Sequence, residues 1–323
     1  MDMGNVMHMA LEKFAVEVRK EGLDWAELTE EERNRIIDSC LDQVSADYGN
    51  TVLKSSARNE YMLERTRRIL RRTVWALQEQ LKHGAFRPEG FEVRFQGGRI
   101  DRVDIMEEPE NNRVYVKVID YKTGNTSFDL LALYHGLQLQ LMVYLDGALQ
   151  VEKRKYPDRE IVPAGVFYYN VKDPMIQEKI HADMESINEQ MLKKMKMNGL
   201  VQADDNMSTK IDSTMASIPV SLNRDGSFSK RSSVASRKQF DVLGAYVRRK
   251  ICDIRESILD GNAAVEPYEL GKKNACTYCP YLTVCGFDRK IPGYEFHRLS
   301  SIGEDALWKK IMKGEEENGS EMD

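Results

Sequence analysis

Three charged residues in an otherwise apolar stretch have the types and spacing for metal-assisted chemistry: Asp101, Asp120 and Lys122. The polar run 107–112 separates two segments rich in β-branched and aromatic residues, which predicts a hairpin. Residues equally far from the turn face each other, so Asp101 is expected opposite Asp120. Cβ atoms in such pairs are roughly 5 Å apart, so both carboxylates can reach one divalent ion. Lys122 lies two residues beyond Asp120 and projects from the same face.

Two carboxylates and an ammonium group suit the hydrolysis of a phosphodiester. A bound ion polarises the phosphate and lowers the pKa of a water molecule, and the lysine stabilises developing charge. The alternative is a salt bridge on a solvent-facing sheet. Asp120, however, directly follows the apolar segment Val116–Ile119, and an aspartate at the end of a buried strand favours a functional role.

The elements that must position these side chains follow from the periodicity of the apolar residues. Helices are predicted over Gly4–Lys20, Leu63–Leu81, Leu130–Leu149, Asp173–Lys196 and Phe240–Leu259, with strands over Phe91–Ile105, Val114–Tyr121 and Ile161–Val171. The polar segment Gln202–Ser236 is expected to be a surface insertion with a short strand near Ile218–Leu222. An α/β fold results, divided into a core over residues 1–199, an insertion or loop over 200–236, a C-terminal helical segment over 237–313, and a disordered acidic tail over 314–323.

Composition excludes a membrane protein and predicts a cytoplasmic one. The chain has 323 residues and 41% hydrophobic content, enough for a sizeable core, and it has neither a long apolar run nor the layout of a signal peptide. We therefore expect no membrane partner.

The net charge of -5 does not by itself indicate a nucleic-acid partner, so the distribution of the basic residues matters more. Arginines cluster in two predicted helices. The candidate DNA contacts are Arg65, Arg68 and Arg72 in the first helix, and Arg248 and Arg249 in the second. The alternative for each cluster is a solvated helix face.

Four short segments, in this order along the chain, resemble the motifs of RecB-type nucleases in the PD-(D/E)XK superfamily. They are Gly4–His8 (GNVMH), Gly98–Asp104 (GRIDRVD), Val118–Gly124 (VIDYKTG) and Gln140–Tyr144 (QLMVY). The resemblance implies the fold of that superfamily, in which helices flank a central mixed sheet. It also implies deoxyribonuclease activity that depends on Mg²⁺ or Mn²⁺.

The same resemblance implies a role for each matching residue. His8, Asp101, Asp120 and the main-chain carbonyl of Tyr121 would bind the metal, and Lys122 would be the catalytic lysine. Gln140 and Tyr144, one helical turn apart, would line the site and contact DNA or order the lysine. Without the resemblance, His8 is an ordinary helix histidine and the other two form an ordinary helix edge. Gln138 is a second candidate for the glutamine.

Three further segments narrow the resemblance to the AddB family, the second subunits of AddAB helicase-nucleases. They are Phe86–Phe95 (FRPEGFEVRF), Pro163–Pro174 (PAGVFYYNVKDP) and Cys276–Asp288 (CTYCPYLTVCGFD). The family implies DNA as substrate, an AddA-type helicase-nuclease as partner, and exonucleolytic degradation of the 5′-ended strand during double-strand-break repair. No phosphate-binding P-loop motif occurs in the sequence, so ATP hydrolysis is assigned elsewhere.

The cysteines Cys276, Cys279 and Cys285 form a compact group that suits a metal or cluster better than disulfides. The AddB resemblance implies that they are three ligands of a [4Fe-4S] cluster. The fourth ligand is expected shortly before the first helix, upstream of this chain, so we expect a fragment with an incomplete cluster. Cys40 and Cys252 are predicted to be buried small apolar residues. A zinc site that includes one of them is an alternative.

Two other functions remain open at this point. A free-standing Cas4-like nuclease shares the motifs and the cysteine group, although it is smaller. A nuclease fold that only holds DNA is the second alternative, and the presence of both Asp101 and Lys122 argues against it.

Overall fold

The computed structural model describes residues 3–47, 56–176 and 183–319, and it divides the chain into two units. The first unit comprises Met1–Phe128 and Gln140–Phe240, and the second comprises Asp129–Leu139 and Asp241–Asp323. This differs from the predicted division. Residues 200–236 belong with the first unit, and the short segment 129–139 belongs with the C-terminal part of the chain.

A six-stranded mixed sheet forms the centre of the first unit. Its strands are β1 (Arg87–Phe95), β2 (Gly98–Glu108), β3 (Arg113–Lys122), β4 (Glu160–Asn170), β5 (Asn198–Gln202) and β6 (Val234–Ala235), and they lie side by side in this order. β1, β2 and β3 are antiparallel neighbours, whereas β3 and β4 run parallel. β3 and β4 are buried along almost their whole length, as expected for strands covered on both faces.

Helices cover both faces of this sheet. The helices of the chain are α1 (Met3–Lys20), α2 (Glu30–Asp47), α3 (Ala57–Lys82), α4 (Leu130–Tyr134), α5 (Gln140–Lys155), α6 (Met184–Lys194), α7 (Met207–Ile211), α8 (Arg237–Leu259) and α9 (Glu304–Gly319). The apolar sides of α1, α2 and α3 share a core with Tyr115, Ile119 and Tyr121 of β3. α5 packs against β2, β3 and β4. Helix α3 begins where the Ser56 side chain accepts a hydrogen bond from the Asn59 N–H.

Two predicted elements are interrupted in the structure. The run Phe91–Ile105 is not one strand, because the chain turns at Gln96 and Gly97 and Phe95 pairs with Gly98. The predicted helix Leu130–Leu149 is broken between α4 and α5, where Gly136 adopts a φ of +80° that ends a helix.

The predicted helix Asp173–Lys196 begins later, at Met184, where the Asp183 side chain accepts a hydrogen bond from the Ser186 N–H. Residues 173–176 are not helical, and the rest of the predicted first half, 177–182, lies outside the described residues.

The segment 202–236 is not a surface insertion. Met207, Ile211, Ile218 and Val220 are all at most 2% exposed and belong to the core that α1, α2 and α3 share. The predicted strand near Ile218–Leu222 is reduced to a single bridge between Leu222 and Phe228. The segment therefore contributes apolar burial to the first unit.

The second unit combines α4, α9 and most of α8 with three short strands, β7 (Tyr268–Leu270), β8 (Lys273–Asn274) and β9 (His297–Arg298). α9 runs to Gly319, so the tail predicted as disordered from Gly314 begins as helix, and residues 320–323 lie outside the described part of the chain. In the described residues, no helix combines the length and hydropathy needed to cross a membrane.

Candidate active site

The two aspartates lie on neighbouring strands in the predicted register. Arg102 pairs with Ile119 and Val103 with Val118, which places Asp101 opposite Asp120. Asp101 is fixed by a short hydrogen bond, in which its Oδ2 accepts from the Tyr121 N–H at 2.7 Å. The predicted juxtaposition of the two carboxylates is confirmed.

His8 reaches this pair from α1. Its Nδ1 lies 3.4 Å from Asp101 Oδ2, and the hydrogen bond to Asp101 raises the pKa of His8. The His8 ring also meets the Tyr121 ring edge to face, with centroids 6.1 Å apart. The structure thus brings His8 and Asp101 together, as the resemblance implied.

Glu92 joins them, and sequence reasoning missed it. Phe91 pairs with Arg102 and Val93 with Ile100, so Glu92 on β1 faces Asp101 on β2. Ligand atoms of His8, Glu92 and Asp101 all lie within 4.8 Å of one another. The signal was available, because a two-residue turn at Gln96–Gly97 places Glu92 opposite Asp101 by the same counting that pairs Asp101 with Asp120.

Glu92 has an unusual backbone conformation for its position. Its φ is +47°, in the left-handed region that costs a non-glycine residue about 1 kcal/mol or more. Burial and the nearby Asp101 raise the pKa of Glu92, and Arg99 Nε lies 2.6 Å from its carboxylate. The strand therefore holds a carboxylate in a site where its charge is costly.

Asp120 differs from the other acids in having a direct cationic partner. Its Oδ2 lies 2.6 Å from Lys122 Nζ, and its side chain is 3% exposed. Burial and the charge of Asp101 nevertheless raise the pKa of Asp120 to about 6. Among the described residues, the group that meets the ligand-distance criterion contains Glu92 where the prediction had Asp120.

Lys122 is held by a chain of hydrogen bonds from α5. Its ammonium group donates to Gln140 Oε1 at 2.8 Å, and Gln140 Nε2 donates to the Tyr144 hydroxyl at 2.8 Å. The spacing of four residues places both side chains on one helical face. Gln138 is engaged differently, since its Oε1 accepts from the Asp129 N–H at 2.9 Å.

The donor set fits a divalent ion. Carboxylate oxygens are the ligands that Mg²⁺ prefers, and an imidazole nitrogen with carboxylates suits Mn²⁺. The carboxylates carry more negative charge than Lys122 and the His8 ring compensate, which the raised pKa values of Asp120 and Glu92 reflect.

The predicted DNA contacts lie in two places. In α3, Arg68 Nε and Arg72 Nη1 contact the Asp173 carboxylate at 2.6 and 3.3 Å, and Arg65 is exposed. In α8, the Arg249 guanidinium lies 5.7 Å from the centre of the Tyr246 ring. Whether these residues, or Arg248, bind DNA stays a prediction.

The cysteine group is close enough for its members to interact. Burial and the neighbouring Cys279 and Cys285 raise the pKa of Cys276, and the Cys279 N–H donates to the Cys276 carbonyl at 3.3 Å. Cys40 is buried as predicted. Cys252 is exposed, so the prediction of a buried residue there was wrong.

Comparison with known families decides between these interpretations. Residues 1–286 match the family model described as the PD-(D/E)XK nuclease superfamily. The chain belongs to this superfamily. The predicted fold class is therefore confirmed, and the mixed sheet with helices on both faces is the PD-(D/E)XK core.

Several curated proteins named as AddB-type subunits of an ATP-dependent helicase/deoxyribonuclease are similar to the chain over nearly its whole length. One from Lachnoclostridium phytofermentans is 39% identical over 98% of the chain. Others from Thermoanaerobacter sp. strain X514 and Clostridium acetobutylicum are 33% identical over 100% and 99% of it. The chain spans 29 to 30% of the length of these relatives.

Proposed function

We propose that the chain is a metal-dependent deoxyribonuclease domain that hydrolyses DNA phosphodiesters as part of an AddAB-type helicase-nuclease. One observation carries the proposal: in a PD-(D/E)XK fold, Asp101 faces Asp120, and Lys122 is held by Gln140 beside them. The similarity to AddB-type proteins, which are named as helicase/deoxyribonuclease subunits, supports DNA as the substrate.

In this function, His8, Glu92 and Asp101 hold the ion, with Asp120 and the Tyr121 carbonyl as the further ligands that the resemblance implies. The ion supplies positive charge to the phosphate and lowers the pKa of a bound water. Lys122 stabilises the charge that develops as the water oxygen bonds to phosphorus and the bond to the leaving oxygen breaks. Gln140 and Tyr144 keep the ammonium group in place.

The partner and the strand choice rest on the relatives. We propose an AddA-type helicase-nuclease as partner and exonucleolytic cutting of the 5′-ended strand during the processing of double-strand breaks. The cytoplasm stays the predicted location.

A nuclease assay tests the activity directly. The 323-residue chain is incubated with end-labelled single-stranded or duplex DNA, with Mg²⁺ or with a chelator. Cutting that needs the metal and is lost in Asp120→Ala is expected, because this substitution removes a carboxylate from the site. Asp225→Ala is the control, since Asp225 bonds Ser227 in an exposed turn. Equal cutting by both variants would contradict the assignment.

The cysteine group is proposed to bind an iron-sulfur cluster. Cys276, Cys279 and Cys285 would supply three thiolates, and their mutual proximity fits such a set. Iron content and visible absorbance of anaerobically purified chain should fall in Cys279→Ser and stay unchanged in Cys252→Ser. A chain that carries no iron under these conditions would argue against the cluster.

A further inference from the structure

A groove of about 900 Å³ in the first unit has a strongly basic lining. Its walls come from α2, α3, α6 and the segment that follows β4. Four arginines line it, against two acids, Glu30 and Asp173. The arginines are Arg33 in α2 and Arg68, Arg71 and Arg72 in α3.

Arg33 is the least expected member of this set, because it is only 6% exposed. Its Nη1 donates to Gln78 Oε1 at 2.5 Å, but its Nε has no hydrogen-bond partner. The neighbouring Asn34 also has a buried Oδ1 without a partner. A buried donor without an acceptor costs roughly 1 to 3 kcal/mol, and the cost is larger for a charged group. A guanidinium kept at the groove in this state is suited to an incoming anion.

The other guanidinium groups show where an anion fits. Arg68 and Arg72 converge on the Asp173 carboxylate from successive turns of α3, whereas Arg71 is committed to Asp38. A carboxylate and a phosphate present similar oxygen acceptors to arginine. Asp173 therefore occupies a position at which a phosphate can bind in its place.

The groove opens at the sheet edge that carries the catalytic lysine. The Val171 N–H donates to the Lys122 carbonyl at 2.7 Å, and Asp173 follows only two residues later. An extended chain covers roughly 3.5 Å per residue, so Asp173 lies within about 7 Å of Val171. Trp75 in the groove wall offers a ring on which a base can stack.

We propose that this groove binds the phosphates of single-stranded DNA and leads the strand to Lys122, with Arg33, Arg68 and Arg72 as the phosphate contacts. The proposal rests on the proposed nuclease function and adds the path of the substrate. The strand's negative charge and its bases match the basic lining and the partly exposed tryptophan.

The test measures binding without cutting. Fluorescence anisotropy of a labelled single-stranded oligonucleotide is recorded with the 323-residue chain in a chelating buffer over a series of salt concentrations. The double variant Arg68→Gln with Arg72→Gln should weaken binding at least about tenfold, and the slope of log affinity against log salt should fall by about 1.4, since each lost phosphate contact contributes about 0.7.

Arg67→Gln is the matched control. Arg67 lies on the same helix but contacts Asp42, Asp38 and Glu64 outside the groove, so affinity and slope should stay unchanged. Thermal melting of every variant verifies folding.

Asp173→Asn tests the position of the anion with the opposite sign. Removing the competing carboxylate leaves Arg68 and Arg72 to the phosphate, so binding should tighten several-fold. If the chain binds and cuts DNA but the double variant keeps the wild-type salt slope, the groove proposal fails alone. A wild-type chain that neither binds nor cuts DNA overturns the proposed function together with the groove.

Discussion

Strands β2 and β3 carry two clusters of charged side chains on opposite faces, and the clusters solve the same electrostatic problem differently. On one face, Asp104 receives Arg102 Nε at 2.6 Å and Lys117 Nζ at 3.0 Å, and all three side chains are at most 1% exposed. On the other face, Asp120 has Lys122 at 2.6 Å but also faces Asp101.

The difference is one of compensation. Although burial alone would raise it, the pKa of Asp104 is lowered by its two cations, whereas burial and Asp101 raise the pKa of Asp120 to about 6. A cluster with complete compensation has no need of another ion. A cluster left with excess negative charge loses stability but gains the capacity to bind a divalent cation.

The largest effect is expected from Lys122→Ala, which should reduce DNA cutting by at least about 10³-fold with little change in melting temperature. The lysine is partly exposed and acts on charge in the transition state rather than on packing. Lys117→Ala on the same strand provides the contrast: it should unfold the protein at lower temperature. Comparable melting temperatures for the two variants would erase the distinction between the faces.

Asp104→Asn should destabilise the fold by about 3 kcal/mol or more. The substitution leaves Arg102 and Lys117 buried without a counter-ion, which is the costly way to break such a cluster. Urea unfolding measures the change. A variant as stable as the wild type would show that water or a rearranged side chain reaches this cluster.

The same substitution at Asp120 should act in the opposite direction. The folded-state pKa of Asp120 is about 6, above the ordinary value of 3.8, so its protonated form stabilises the fold below pH 4 and this contribution is lost as the pH rises through 6. In metal-free buffer at pH 8, Asp120→Asn should therefore be about 1 to 3 kcal/mol more stable than the wild type. The advantage should vanish near pH 4. An advantage that does not change with pH would have another cause.

A smaller effect is expected from Glu92→Gln, which should weaken Mn²⁺ binding about tenfold or more in calorimetry. Glu89→Gln on the same strand is the control, because Glu89 pairs with Arg87 and Lys155. Equal affinities in the two variants would remove Glu92 from the ligand set and leave it as the partner of Arg99.

The register of β2 and β3 could be predicted because a two-fold alternation and one polar turn leave little freedom. The first turn of the meander was missed because Gln96 and Gly97 lie between β-forming residues and resemble a brief irregularity within one strand. With that turn, Glu92 was lost from the predicted site.

Two other features were beyond local patterns. Arg102, Asp104 and Lys117 are charged, so hydropathy assigns them to the surface, and only the third dimension shows that they neutralise one another. The polar segment around Ile218 has the composition of an exposed loop, because single apolar residues between serines give no periodicity although they reach the core.

The division of the chain has a consequence for its synthesis on the ribosome. Helix α4 belongs to the second unit and packs against α9, which begins at Glu304. At about 5 to 20 residues per second, translation reaches α9 on the order of 10 to 30 seconds after α4 has been made. During this interval the first unit can close around its sheet, whereas Leu130–Tyr134 must wait without its partner helix. A nascent chain is therefore expected to acquire the catalytic face before it completes the unit that carries the cysteines.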